Sequence, residues 1–151
     1  MIQRIQSLYL LIAAVLLTVA SFFPFYTFNA GQVVMDGFSV HSSEGIKIFS
    51  TVPLNIINWL AALLSLIIIF LYKNRILQMR LTTYTIIILL GFYLLLIYYR
   101  FSALPKIETI TQSKLEIYSL FPVISAILLY MAARAIKKDE DKIRSMDRFR
   151  D

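Results

Sequence analysis

The chain has 151 residues, 59% of them hydrophobic and 16% charged, with a net charge of +6 and no cysteine. A mean hydropathy of +0.73 is too apolar for a single water-soluble core, and the lack of cysteine excludes disulfides, thiol redox chemistry and thiolate metal sites. In so apolar a chain the basic excess reports orientation in a membrane rather than nucleic-acid binding, and no nucleic-acid partner is expected.

Read in chain order, four charge-free stretches approach the width of a bilayer: Ile5 to Met35, Ile48 to Tyr72, Leu81 to Tyr99 and Ile117 to Ala133. A hydrocarbon core of about 30 Å is crossed by about twenty helical residues. The expected fold is therefore an all-α membrane protein, a single four-transmembrane-helix bundle over residues 1–136, with spans at about 5–25, 53–72, 81–99 and 116–136. Outer loops follow at 26–52 and 100–115, and a charged cytoplasmic helical extension at 137–151. A β-barrel is excluded because the apolar runs are continuous rather than alternating.

The first segment has a second reading as a cleaved signal peptide, with Arg4, the run Leu8 to Leu17 and the small-residue site Thr18-Val19-Ala20. The apolar run continues through Phe22 and Phe23, which favours a retained helix. In the loop that follows, Ala30-Gly31 and Asp36-Gly37 are turn signals flanked by Val33, Val34, Phe38 and Val40, and they predict a small extracytoplasmic β-hairpin. His41 is the one histidine. With only Asp36 and Glu44 nearby it reads as a surface residue, not a metal ligand.

Pro53 suits the first turn of the second span. Asn55 and Asn58 close to it read as helix-end capping or interhelical hydrogen bonding, with ligand or ion coordination as the alternative. The third span is bulky apart from Gly91 and is expected to be the most lipid-exposed. After it, IETIT at 107–111 suggests either a strand or a helical turn. The fourth span is short before Arg134, whose long stem can carry its guanidinium to the headgroups.

Eleven Lys and Arg residues lie on the side of the termini and four on the side of the two outer loops, so both termini are expected in the cytoplasm. Aromatic residues at Phe22, Phe23, Phe25, Tyr26, Tyr98, Tyr99, Phe101, Tyr118 and Phe121 mark the outer interface. Small and polar residues at helical spacing are the candidate packing positions: Ala14, Thr18 and Ser21; Asn58, Ala62 and Ser65; Ser119, Pro122, Ala126 and Ala133.

The apolar stretches contain no Asp, Glu, Lys, Arg or His. That argues against proton-coupled transport, ion pathways and intramembrane proteolysis by an acid pair. No GxSxG, HExxH or Walker glycine loop is present, and Asp139, Glu140 and Asp141 are adjacent and so diverge on a helix. The expectation is a protein that is not an enzyme and needs no metal or cofactor.

No Pro or Gly follows Pro122, so the fourth helix can run on into the extension, where acids stand N-terminal to bases at helical spacing, as in Glu140 and Arg144. Two readings remain: a solvated helix that helps fix topology, or a docking helix using Ile143, Arg144, Met146, Arg148 and Phe149. A purely lipid-binding polybasic tail is less attractive, because seven bases from Arg134 onward are offset by five acids.

The two ends, MIQRIQSLYLLIAA at Met1 to Ala14 and IKKDEDKIRSMDRFR at Ile136 to Arg150, resemble the DUF4293 proteins of the Bacteroidota, and the likeness extends over the whole chain. The resemblance implies a small four-pass protein of the bacterial inner membrane and carries over no catalytic or binding residues. The functional expectation is a non-catalytic accessory or assembly subunit that meets membrane lipids and another membrane protein or complex. The rival expectation is a binder or carrier of lipid or another hydrophobic small molecule.

Overall fold

The computed structural model describes residues 2–29, 33–42, 44–103 and 113–148. It is mostly helical: α1 (Ile2–Ala20), α2 (Val52–Phe70), α3 (Arg75–Ala103) and α4 (Phe121–Arg148), with a 3-10 turn at Ile117–Leu120. Five short strands complete it: β1 (Tyr26–Phe28), β2 (Val33–Met35), β3 (Ser39–Ser42), β4 (Lys47–Ser50) and β5 (Ser113–Leu115). Three helical segments, Val52–Phe70, Arg75–Ser102 and Ile117–Ile143, are long and apolar enough to cross a membrane, while the apolar part of α1, Ile5–Ala20, is shorter.

The first helix was expected to reach residue 25 and ends at Ala20 instead. Its last turn tightens, with the amides of Ser21, Phe22 and Phe23 donating to the carbonyls of Thr18, Val19 and Ala20. Pro24 follows, and the Phe25 amide is taken by Met35 O at 2.9 Å. Phe25 is therefore drawn under the sheet, whereas Phe22 and Phe23 remain exposed beside Trp59 and Tyr118.

Pro53 lies in the first turn of α2, where a missing amide costs nothing. At its other end the chain reverses through residues 71–74, and Gln78 Nε2 of α3 donates to Ile68 O at 3.2 Å, satisfying a last-turn carbonyl of α2. α4 continues without a break into the charged extension as far as Arg148.

The expected hairpin is present as β2 and β3. Asp36 Oδ1 accepts from the amides of Phe38 and Ser39 at 2.8 and 2.7 Å, a side-chain-stabilised turn of the kind an Asp-Gly pair favours. The sheet is nevertheless larger than a hairpin, an antiparallel array in the order β4-β3-β2-β1-β5. β4 returns along β3 after a turn in which Gly45 adopts a φ of 78°. β5 pairs with β1. IETIT lies outside the described residues, and the strand of that loop is Ser113–Leu115. Strands of three or four residues carry too little alternation to be read locally, and β5 depends on a partner almost ninety residues away.

One face of the sheet sits on the ends of the helices. Phe25, Phe28, Met35 and Val40 form a core with Leu54, Phe92 and Leu96. Below it the helices pack in a ring, α1 against α2 and α4, and α3 against the same two. Leu10, Ala13, Leu17, Ala61, Ala62, Ile68, Leu89, Leu129 and Ala132 fill the centre. Of the three segments able to cross a membrane, α3 is the least buried, at 28% against 39% and 33%. Outward-facing residues such as Leu63, Phe70, Leu90, Leu94 and Ile127 are exposed and apolar, side chains that suit hydrocarbon rather than water.

Gly37 and Gly91 make a paired test. A Cβ on Gly37 would meet Asn55 Cγ at 3.0 Å, whereas at Gly91 nothing lies within 4 Å. Gly37→Ala is expected to cost about 1–3 kcal/mol by overpacking, and Gly91→Ala to be neutral or stabilising by up to about 1 kcal/mol in the helix interior. Thermal unfolding of the detergent-solubilised protein measures both.

Candidate functional site

A polar seam ties the helices together. Asn58 Nδ2 donates to Leu17 O and to Ser21 Oγ, each at 2.8 Å, joining α2 to the end of α1. Ser125 Oγ of α4 donates to Ala13 O of α1 at 3.2 Å. Ala14, Ser21, Asn58, Ala62, Ser65 and Ser119 are buried, and Thr18 and Ala126 are half-buried. The hydroxyls of Thr18 and Ser65 donate to carbonyls one turn earlier, at Ala14 and Ala61. The polar groups among them donate hydrogen bonds within and between helices, whereas Asn58 Oδ1 is buried with no hydrogen-bond partner among the described residues.

At the sheet end, Thr51 Oγ1 donates to Asp36 O at 2.8 Å and the Thr51 amide donates to Phe38 O at 3.0 Å, fastening the β2–β3 turn to the start of α2. Asn55 is pressed against Gly37, and its Oδ1 is buried with no hydrogen-bond partner among the described residues. Asn55 also lines an open, largely apolar groove of about 400 Å³ with Phe38, Val52, Ile56, Trp59 and Leu63.

On the far side of the sheet Arg100 Nη2 donates to Ser113 Oγ at 2.7 Å, and the guanidinium lies 5.7 Å from the centre of the Tyr26 ring. Thr27 Oγ1 donates to Glu116 Oε1, and Tyr93 Oη donates to Ser119 O at 2.6 Å. Arg100 of α3 thus holds β5 and β1, Glu116 holds β1, and Tyr93 ties α3 to the 3-10 turn. His41 Nδ1 lies 3.7 Å from Asp36 Oδ2, and among the described residues no group of three or more His, Cys, Asp or Glu side chains could hold a metal ion.

The opposite end holds a contact that the sequence did not disclose. Gln6 Nε2 of α1 donates to Asp139 Oδ2 of α4 at 2.7 Å, with both side chains buried. The start of the extension is thus packed against α1 on one side. Ile136 is buried, Asp139 is buried and Ile143 is half-buried, and these positions fall at i, i+3 and i+7 on one helical stripe. That spacing is visible in the sequence, but the Asp in its middle disguises an inward face. Of the candidate docking residues, Ile143 lies at the edge of the bundle. Phe149 and the side chains of Arg144, Met146 and Arg148 lie outside the described residues.

A ring of four helices, capped at one end by a small sheet and prolonged at the other by a charged helix, defines a small helical protein, three of whose helices are long and apolar enough to cross a membrane. The chain belongs to the DUF4293 family, a domain of unknown function, whose model matches residues 2–149. No curated protein and no solved structure matches it.

The Gln6–Asp139 contact predicts a non-additive mutant pair. Asp139→Leu alone strands the buried Gln6 amide and is expected to cost about 1–3 kcal/mol. Gln6→Leu/Asp139→Leu removes both polar groups and is expected to recover most of that loss, measured by unfolding of the four proteins of the cycle in one detergent.

Proposed function

We propose that this protein is a non-catalytic, four-span protein of the bacterial inner membrane that serves as an accessory or assembly subunit of a larger membrane complex. Both termini are cytoplasmic and the sheet is extracytoplasmic, as the distribution of Lys and Arg supports. The observation that carries the reading is the unbroken α4, which continues past the Gln6–Asp139 contact as a charged helix reaching Arg148. A tail that only fixed topology would need its bases but no helix clamped to the bundle. Buried Leu10, Ala13 and Leu17 and the Asn58 bonds support retention of α1 as the fourth span, since its removal would strip α2 and α4 of their main partner. The donors of the seam are taken up by bonds between the helices, which favours a scaffold over a reaction.

A second reading, a binder of lipid or another hydrophobic small molecule, is favoured by the groove beside Asn55, an apolar surface with one unmatched acceptor. A bound lipid lost on Asn55→Leu in native mass spectrometry would support that reading.

The leading proposal is tested by a gentle-detergent pull-down of tagged protein, comparing the full chain with one ending at Ile143, which keeps the Gln6–Asp139 contact. Particular membrane proteins are expected to disappear with the removed segment at matched membrane levels. An unchanged or empty partner list would remove the docking role of the extension. The mature mass of the protein is expected to include α1.

A further inference from the structure

The end of the bundle away from the sheet carries an open groove of about 520 Å³ between the α2–α3 turn, the first turns of α3 and the extension of α4. Three bases, Lys73, Arg75 and Arg80, line it. None of the three is in an ion pair among the described residues. Glu140 stands on the α4 side and has an interaction of its own. The described lining is therefore net positive.

The groove is not only basic. Ile76 and Leu77, interleaved with the bases in the same two turns of α3, are both exposed and lie in its wall. A water-filled site for a free anion has no use for that pairing of cations with bare aliphatic side chains. A lipid, with a charged headgroup above apolar chains, matches both.

Depth along α3 agrees. The uncharged stretch from Leu81 to Tyr99 is nineteen residues, about 28 Å of helix, close to the hydrocarbon thickness. Arg80 then stands at the hydrocarbon edge and Arg75 about 7 Å farther out, so the bases span the headgroup layer. Basic pockets at this level between membrane helices suit phosphate headgroups, and guanidinium groups can meet phosphate oxygens in pairs.

We propose that this groove binds the phosphate headgroup of an anionic phospholipid, with Lys73, Arg75 and Arg80 facing the phosphate and Ile76 and Leu77, which lie between Arg75 and Arg80 along α3, against the apolar part of the lipid nearest its headgroup. The proposal rests on the reading of the helices as membrane spans and is independent of any protein partner. Its failure would leave the subunit reading standing.

The test uses the full chain purified in neutral detergent and titrated with phosphatidylglycerol, phosphatidylcholine or water-soluble glycerol phosphate, with bound ligand counted by native mass spectrometry. Phosphatidylglycerol is expected to bind saturably and about tenfold more tightly than phosphatidylcholine, with the preference shrinking as salt rises. Arg75→Gln and Arg80→Gln, each of which leaves two bases in place for folding and insertion, are expected to weaken binding about fivefold. Lys47→Gln/Lys114→Gln, in the sheet at the other end of the bundle, is expected to leave it unchanged. Equal affinity for the two lipids, unaltered binding by both Arg variants, or glycerol phosphate binding as tightly as the lipid would each overturn the proposal.

Discussion

Asn58 donates both of its amide hydrogens to α1, one to Leu17 O and one to Ser21 Oγ, and much of the architecture at the sheet end depends on that clamp. In an apolar surrounding a side-chain amide has to find partners within the protein. Asn58 Nδ2 finds them at the last turn of α1, in Leu17 O and Ser21 Oγ, while its Oδ1 is buried with no hydrogen-bond partner among the described residues. The helix stops there, Ser21 to Pro24 turn the chain, and Phe25 is delivered beneath β2. The crossing of α1 and α2 is thereby set at one height, and the sheet above them has a fixed base.

The two ends of the bundle answer different physical demands. At the sheet end short strands satisfy one another's backbone groups, and the bundle is capped by aromatic and aliphatic packing between Phe25, Phe28, Phe92 and Leu96. Arg100 and Thr51 fasten the cap from opposite sides, one through Ser113 and the Tyr26 ring, the other through the backbone of Asp36 and Phe38. At the other end no sheet covers the described helices, and charge takes its place. The Gln6–Asp139 contact keeps α1 and α4 together beyond the apolar core, while the bases of the α2–α3 turn face outward. The same chain thus presents a packed lid on one side and a charged, groove-bearing rim on the other.

Part of the candidate functional surface was legible from local pattern. Asp36-Gly37 announced its turn because the Asp side chain accepts from amides two and three residues on, a bond made within the turn itself. The continuation of α4 followed from the absence of Pro and Gly after Pro122. The burial of Asp139 was hidden because a carboxylate within a charged run reads as solvated until Gln6, 133 positions away, is brought beside it. β4 and β5 were missed for a related reason: three or four residues hold no decisive periodicity, and their pairing is with strands rather than with their own neighbours in the chain.

The sequence alone determined that the chain is helical and apolar along lengths that match a bilayer, where its charges collect, and that Pro53 and Asp36-Gly37 begin a helix and a turn. Those properties are local, since helix formation and turn geometry are decided by residues within a few positions of one another. Only the tertiary structure decided that α1 ends at Ala20, that Asn58 bonds to Leu17 and Ser21, that Asp139 turns inward to Gln6, and that Lys73, Arg75 and Arg80 share a groove with α4. The Asn58 and Asp139 contacts are meetings of polar groups from distant parts of the chain. Such pairs are chosen by which partners the packed helices bring within hydrogen-bonding reach, a geometry that no single stretch of sequence contains.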